Sequence, residues 1–409
     1  MMEKRYLVAV FLIVLGFILI NSNQQGQVVR VVKSSPQQLT AAPPASVQVT
    51  PAQILPVYPP SHVFYIANPI NVNFNELAEI IYDGSIISKT VIDTGCINCF
   101  YGMDVDIDPV TKAIHLVYLK LVSPGPSGGN GTLTLFYKRL GSQPFSVTIP
   151  LPGYVNTNPQ SVSVSYKGPS IAIGTSTGIY FTKFNSATNS WNPWFFVAPP
   201  NLALQNFPVE LEVKNNGDAF ITYYTALYLI PDSLEVASFT PYIASSIIIN
   251  TVETVPSISG TSHFGEFSTD IDNVNVLHIS YVTTSNKLKY ANSNTYNPVI
   301  ILNGVFMNFV KLTQFLSPII IYSIGGPSNT VNLEGLVYFT SGINPLPVVQ
   351  TAYYGNQFAF DIGYTMGVSY LMPIPSAQQI TLALLQGGVW NKVQLQNVGF
   401  LHDIGLVIE

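Results

Sequence analysis

Charge is scarce in this chain. Its 409 residues include 16 Lys plus Arg and 21 Asp plus Glu, only 9% charged, against a usual quarter. Three are arginines, Arg5, Arg30 and Arg139, and the net charge is −5. That excludes nucleic acid, which needs a basic footprint for its phosphates. Long apolar runs are also missing beyond the N-terminus, although 47% of residues are apolar. That excludes a polytopic membrane protein. From residue 62 onward there is no N-cap followed by apolar positions at i, i+3 and i+4, which removes the helical signal. Tyr and Phe, by contrast, number 23 each, with 29 Gly and 30 Pro. Such a composition argues against both a helical bundle and a disordered chain.

The one apolar run, Tyr6–Ile20, follows Lys4 and Arg5. A cationic start and a short apolar run mark a secretory signal or a signal anchor. As a helix the run rises about 22 Å, short of the roughly 30 Å hydrocarbon core, which favours a cleaved signal. Asn21-Ser22-Asn23-Gln24-Gln25 offers no small-x-small cleavage site, which favours a retained anchor, the preferred reading. Residues 1–20 are therefore expected to hold the chain in a membrane as a single pass with the C-terminal domain outside the cytoplasm. The alternative is secretion after cleavage. Residues 21–61, with Pro36, Pro43, Pro44, Pro51, Pro56, Pro59 and Pro60, form a disordered, extended stalk.

Residues 62–409 are read as all-β. Runs of four to eight residues rich in Val, Ile, Tyr, Phe and Thr alternate with clusters of Gly, Pro, Asn, Asp and Ser, the pattern of short strands and turns. The runs repeat. Asp104–Tyr118 matches Thr269–Tyr281, each an alternating strand, an acidic turn and a strand reading His-apolar-x-Tyr. Val209–Tyr223 has the same form with Phe220 in the His place. Repeat starts near 104, 162, 209, 268, 307, 358 and 400 suit the period of a four-stranded propeller blade. Residues 62–67, 76–82 and 86–92 are strands with no start of their own. They are expected to complete the blade that begins near 400, so that pairing of the N- and C-terminal strands closes a ring of seven blades. Closure removes exposed sheet edges.

His278-Ile-Ser-Tyr281 and Lys287-Leu-Lys-Tyr-Ala291 resemble the paired strands of sialidase-like β-propeller repeats, most closely over residues 266–302. The resemblance implies the fold. Sialidase activity would imply an arginine triad on the sugar carboxylate, but residues 62–409 hold Arg139 alone, and the Ser-x-Asp-x-Gly-x-Thr-Trp box is absent. Sialidase chemistry is rejected.

The remaining candidates are few. Cys96 and Cys99 are the only cysteines, and outside the cytoplasm they are expected to form a loop disulfide. Asp104, Asp106 and Asp108 fall on one face of a strand and copy the first ligands of a calcium loop. Pro109 and His115 stand where that loop needs Gly and Glu, so turn chemistry is preferred to a calcium site. Asp106, Asp108, Asp270, Asp272, Asp361 and Asp403 recur at similar blade positions and are expected to form an acidic ring in the channel. Gly125–Gly129 matches G-x-S-x-G without its strand–helix setting. Asn130-Gly-Thr132 is a glycosylation acceptor. Trp191, Trp194, Phe195, Phe196, Tyr223-Tyr224 and Tyr353-Tyr354 suit a sugar-binding face or, more simply, blade packing.

The leading expectation is an extracellular propeller that binds a glycan or protein surface through its loops without catalysis or cofactor, compatible with a viral or archaeal surface protein. The alternatives are a glycan-active hydrolase or lyase using acid pairs such as Asp106 and Asp270, and a coat or surface-layer component.

Overall fold

Strand after strand forms wherever β-branched and aromatic residues run between turn residues. The computed structural model describes residues 59–409 except 71, 73, 86, 97–98, 123–131, 142–143, 154–161, 200–208, 226–231, 256–263, 284, 313–317, 326–329, 340–341, 354–357, 364, 375–376 and 387–388. Tyr6–Ile20, the stalk up to residue 58, Asn130 and the Gly125–Gly129 motif lie outside the described residues. No helix among the described residues is long and apolar enough to cross a membrane.

In chain order the strands are β1 (Ser61–Asn68), β2 (Phe74–Tyr82) and β3 (Ile87–Cys96), then β4 (Phe100–Ile107), β5 (Ile114–Val122), β6 (Thr132–Leu140) and β7 (Phe145–Ile149). Next come β8 (Val162–Ser165), β9 (Ser170–Thr175), β10 (Gly178–Asn185), β11 (Ser190–Trp191) and β12 (Phe195–Ala198). β13 (Val209–Val213), β14 (Ala219–Thr225), β15 (Asp232–Phe239) and β16 (Ile248–Val255) precede β17 (Phe264–Ile271), β18 (Leu277–Thr283), β19 (Lys287–Asn292) and β20 (Val299–Asn303). The last groups are β21 (Val305–Leu312), β22 (Pro318–Gly325), β23 (Thr330–Phe339) and β24 (Gly342–Tyr353), then β25 (Phe358–Ile362), β26 (Met366–Ile374), β27 (Ala377–Gln386) and β28 (Val389–Val398), and finally β29 (Phe400–Ile408).

The described strands pair into seven sheets. Six are formed by consecutive strands, and the seventh has the order β29-β1-β2-β3. Each is a four-stranded meander, the β8–β11 sheet carrying β12 as an extra strand on β10. The first strands touch in a closed cycle, β4 with β8, then β13, β17, β21, β25, β29 and β4 again. The architecture is a β-propeller with the inner strands around a central channel. Residues 61–96 share one sheet with 400–408, Ser61 opposite Ile408 and Asn68 opposite Phe400. The expected pairing of the two chain ends is present.

The core lies between the sheets. In β14, Ala219, Ile221 and Tyr223 pack towards β8–β12, while Phe220 and Tyr224 pack towards β17–β19. A strand flanked by sheets on both faces buries every residue, so the second strands read as continuous apolar runs rather than alternating ones. Outer strands such as β3 and β28 are largely exposed instead. Turns close on residues that tolerate a left-handed backbone: Asn275 has φ 67° and Asn286 φ 56°, the conformation Asn adopts most readily after Gly.

Between β3 and β4, Cys96 and Cys99 are joined as a disulfide with Cα atoms 5.2 Å apart. Cys99 is buried.

Candidate functional site

The inner strand of a blade pairs on one side only, so its other edge presents backbone N–H groups that need acceptors. Carboxylates supply them, each reaching to the next blade. Asp403 Oδ2 accepts the Met103 N–H at 2.9 Å. Asp104 Oδ2 accepts the Val164 N–H and the Ser163 hydroxyl, both at 2.8 Å, and Asp106 Oδ2 accepts the Tyr166 N–H at 2.8 Å. Ser163 Oγ in turn accepts the Leu211 N–H at 3.1 Å. Glu210 accepts the Thr269 N–H, Asp270 Oδ2 the Leu312 N–H at 2.7 Å and Asp361 Oδ2 the Ile408 N–H at 2.7 Å. Among the described residues, five of the seven junctions are bridged by carboxylates and a sixth by the Ser163 hydroxyl. The seventh, from β21 to β25, is where Lys311 stands.

These groups enclose a channel cavity of about 430 Å³, lined by Asp104, Asp106, Glu210, Glu212, Asp270, Asp403 and Lys311, with Ser165 and Tyr166 among their neighbours. Burial pushes the carboxyls up. Asp106 and Asp403 reach about 7 and Glu210 about 8, even though the backbone bonds work in the other direction. Asp104 and Asp361 are raised for the same reason. Glu212 is raised well above its ordinary value by burial and then by Asp270. Burial alone would lower the Lys311 ammonium, but Asp270, Asp361, Glu212 and Asp106 outweigh it and hold the ammonium above its ordinary value. Lys311 is therefore a fixed cation inside an acidic channel.

Four of the six expected ring residues, Asp106, Asp270, Asp361 and Asp403, stand on inner strands. Asp108 and Asp272 do not belong to the ring. Asp108 closes the β4–β5 turn, taking the Val110 N–H at 2.8 Å and the Thr111 hydroxyl at 2.6 Å. Asp272 closes the β17–β18 turn, taking the Val274 and Val276 N–H groups at 3.0 and 2.7 Å. Both lie just beyond their strand ends, where an Asp bonds its own backbone. The calcium arrangement of Asp104, Asp106 and Asp108 is accordingly not formed. Among the described residues no three His, Cys, Asp or Glu side chains converge as they would on a metal ion. The ring instead gains Asp104, Glu210, Glu212 and Lys311. The alternating acids of β4 and β13 were visible in the sequence, whereas a single Lys in Phe309-Val310-Lys311-Leu312 carries no repeat signal.

The other candidates are structural. His115 Nδ1 lies 2.7 Å from the Tyr137 hydroxyl, and His278 Nδ1 lies 2.6 Å from that of Tyr290. Burial lowers both imidazoles, His115 to about 4. Trp191 packs edge-on against Tyr137 and Phe184. Trp194 Nε1 donates to the Pro150 carbonyl at 2.6 Å. Phe195 lies against Phe239 and Tyr242, and Phe196, which is exposed, touches Tyr180. Tyr223 and Tyr224 are buried.

No family model matches the chain, and no curated protein matches it. Among solved structures it is similar to a protein from Lactobacillus plantarum, at 8% identity over 85% of this chain and 99% of that one, TM-score 0.49. It is similar to AofleA from Arthrobotrys oligospora, at 10% identity over 76% and 90% with TM-score 0.47. It is also similar to the polysaccharide lyase Uly1, at 12% identity over 81% and 89% with TM-score 0.42. At these identities no ligand or activity passes from those proteins to this chain.

Proposed function

We propose that the chain is a membrane-tethered or secreted extracellular propeller of seven blades, which binds a glycan or protein surface without turning it over, as a viral or archaeal surface protein would. One observation carries the non-catalytic part. Asp104, Asp106, Asp270, Asp361 and Asp403 each spend an oxygen on a backbone N–H group of the adjacent blade. A general acid or base must instead reach a proton on the substrate. Binding then falls to loops and blade faces, where a rigid disc presents variable segments. Exposed Phe196, Tyr242 and Ile243 are among the side chains of this kind.

A second reading, a glycan-active enzyme, has its own support. Glu212 makes no hydrogen bond to the described residues, lines the cavity with Lys311, and has its carboxyl raised well above the ordinary value by burial. A proton donor beside a fixed cation is a usable acid pair. A glycan array probed with the full chain in detergent, scored for retention and for product release, separates the two. Retention of intact glycan supports binding. Release of cleaved glycan, lost in Glu212→Gln, supports the enzyme. An absence of both on glycans and on candidate surface proteins overturns the binding reading.

A further inference from the structure

Second strands carry a shared pattern in which the first position and a tyrosine three residues later recur. His115 in β5 and His278 in β18 occupy the first position, each facing a tyrosine hydroxyl from the third strand of its blade. His62 in β1 occupies it in the blade built from both chain ends. There the third-strand residue is not tyrosine. His115 lies opposite Arg139, His278 opposite Asn292 and His62 opposite Ile81. Two residues before each partner stand Tyr137, Tyr290 and Glu79. The hydroxyl of the other two blades has been replaced by a carboxylate.

A second carboxylate completes the arrangement. His62 Nδ1 lies 2.7 Å from Glu79 Oε1, and its Nε2 lies 3.1 Å from Glu409 Oε1. His62 is 7% exposed. Glu409 follows β29 directly, and its N–H also holds the Pro60 carbonyl at 3.1 Å. One imidazole therefore ties the second strand of the blade to the third and to the end of the inner strand.

We propose that His62, Glu79 and Glu409 form a proton-dependent latch on the closure of the ring. Protonated, the imidazole donates from both nitrogens to two carboxylates. Neutral, it keeps one donor and leaves one carboxylate facing a lone pair. Among the described residues, the charged groups that act on His62 are Glu79 from β2 and Glu409 after β29. Burial lowers the imidazole pKa, but the two carboxylates outweigh it and leave it raised. A raised folded-state value means that the latch holds fully below the unfolded value of about 6.5 and is lost as pH rises through the folded value. His115 and His278 shift the other way, so the effect belongs to this blade. The latch suits a ring that must stay shut in acid and loosen towards alkaline pH, whatever the domain binds.

The test is hydrogen exchange on the full chain in detergent from pH 5 to 9, corrected for intrinsic rates, with NMR titration of the histidines. Residues 61–68 and 400–408 should open more readily as pH rises above about 6.5, by up to roughly tenfold per pH unit until the folded value is passed. The channel acids add a pH response of their own to the inner strands, so the latch is read as the difference between wild type and Glu409→Gln. Glu409→Gln, a nearly isosteric change, should lower the His62 pKa and shrink the pH dependence. Glu79→Tyr should remove most of it by restoring the pair seen in the other blades. A His62 pKa at or below 6.5, or exchange at 400–408 that tracks pH identically in wild type and Glu409→Gln, overturns the proposal.

Discussion

The Asp403 carboxylate accepts the backbone N–H of Met103 at 2.9 Å, across 300 positions of sequence. The bond joins the last inner strand to the first one in chain order. The same kind of bond recurs from Asp104, Asp270 and Asp361, so the acids of the channel are first of all its stitching. Replacing Asp403 with Ala removes an acceptor from a part-buried N–H and should cost about 1–3 kcal/mol. Asp403→Asn keeps a carbonyl oxygen and should cost less. Chemical denaturation of the two variants measures the difference.

The same acids set a pH dependence. Asp106 and Asp403 sit at about 7 and Glu210 at about 8 in the folded chain, raised by burial from ordinary values of 3.8, 3.8 and 4.5. The folded state holds these protons more tightly than the unfolded state. Their contribution is therefore complete below about pH 4 and is lost as pH rises through about 7–8. Thermal melts should fall in that window, and Asp403→Asn should flatten part of the fall. A melting temperature that climbs from pH 5 to 8 would contradict this.

Deleting 399–409 should unfold the domain. It removes an inner strand that buries Leu401, Ile404, Leu406, Val407 and Ile408. At about 1.5–3 kcal/mol for each buried side chain, the loss is comparable with the whole stability of a typical domain, about 5–15 kcal/mol. A truncated chain melting at the same temperature as the full one would rule out closure by the termini.

Gly363 gives a finer probe of the same seam. A Cβ built there would lie 2.2 Å from the Ile408 carbonyl oxygen, a backbone atom with nowhere to rotate. Gly363→Ala should destabilise by about 1–3 kcal/mol, the usual cost of overpacking. It should also raise exchange in 400–408 before it does so in β13.

The disulfide is the weak member of the set. Cys96 and Cys99 close a loop only three positions long, so Cys96→Ser with Cys99→Ser should cost near the lower end of about 0–5 kcal/mol. Native mass spectrometry after alkylation without reductant should find both sulfurs blocked.

Much of the fold was legible because inner strands such as β4, β8, β13 and β17 carry acidic or hydroxylic residues at alternating positions. All seven expected repeat starts coincide with inner strands, and the blade at 103–150 matches strand for strand. His62-Val-Phe-Tyr65 is a further copy of the His-apolar-x-Tyr strand, with Tyr65 in the place of Tyr118 and Tyr281. All three hydroxyls donate to carboxylates, Glu76, Asp93 and Glu253. Its own inner strand lies more than 300 residues away, so no neighbouring sequence marked it as a blade. The site was harder to read. Asp108 and Asp272 share the spacing of the channel acids but lie one step past the strand end, where turn geometry takes the side chain over. Lys311 was invisible because its role depends on charges brought in by four other strands.

On this reading the channel acids hold the ring together while binding occurs elsewhere. The most direct measurement compares wild type with Asp106→Asn/Asp270→Asn in the full chain, following retained glycan or surface protein and released product by mass spectrometry. The double variant should show unchanged partner binding and lower thermal stability, with no product from either protein. A cleaved or unsaturated glycan made by wild type and lost in the double variant, with the fold preserved, would contradict it.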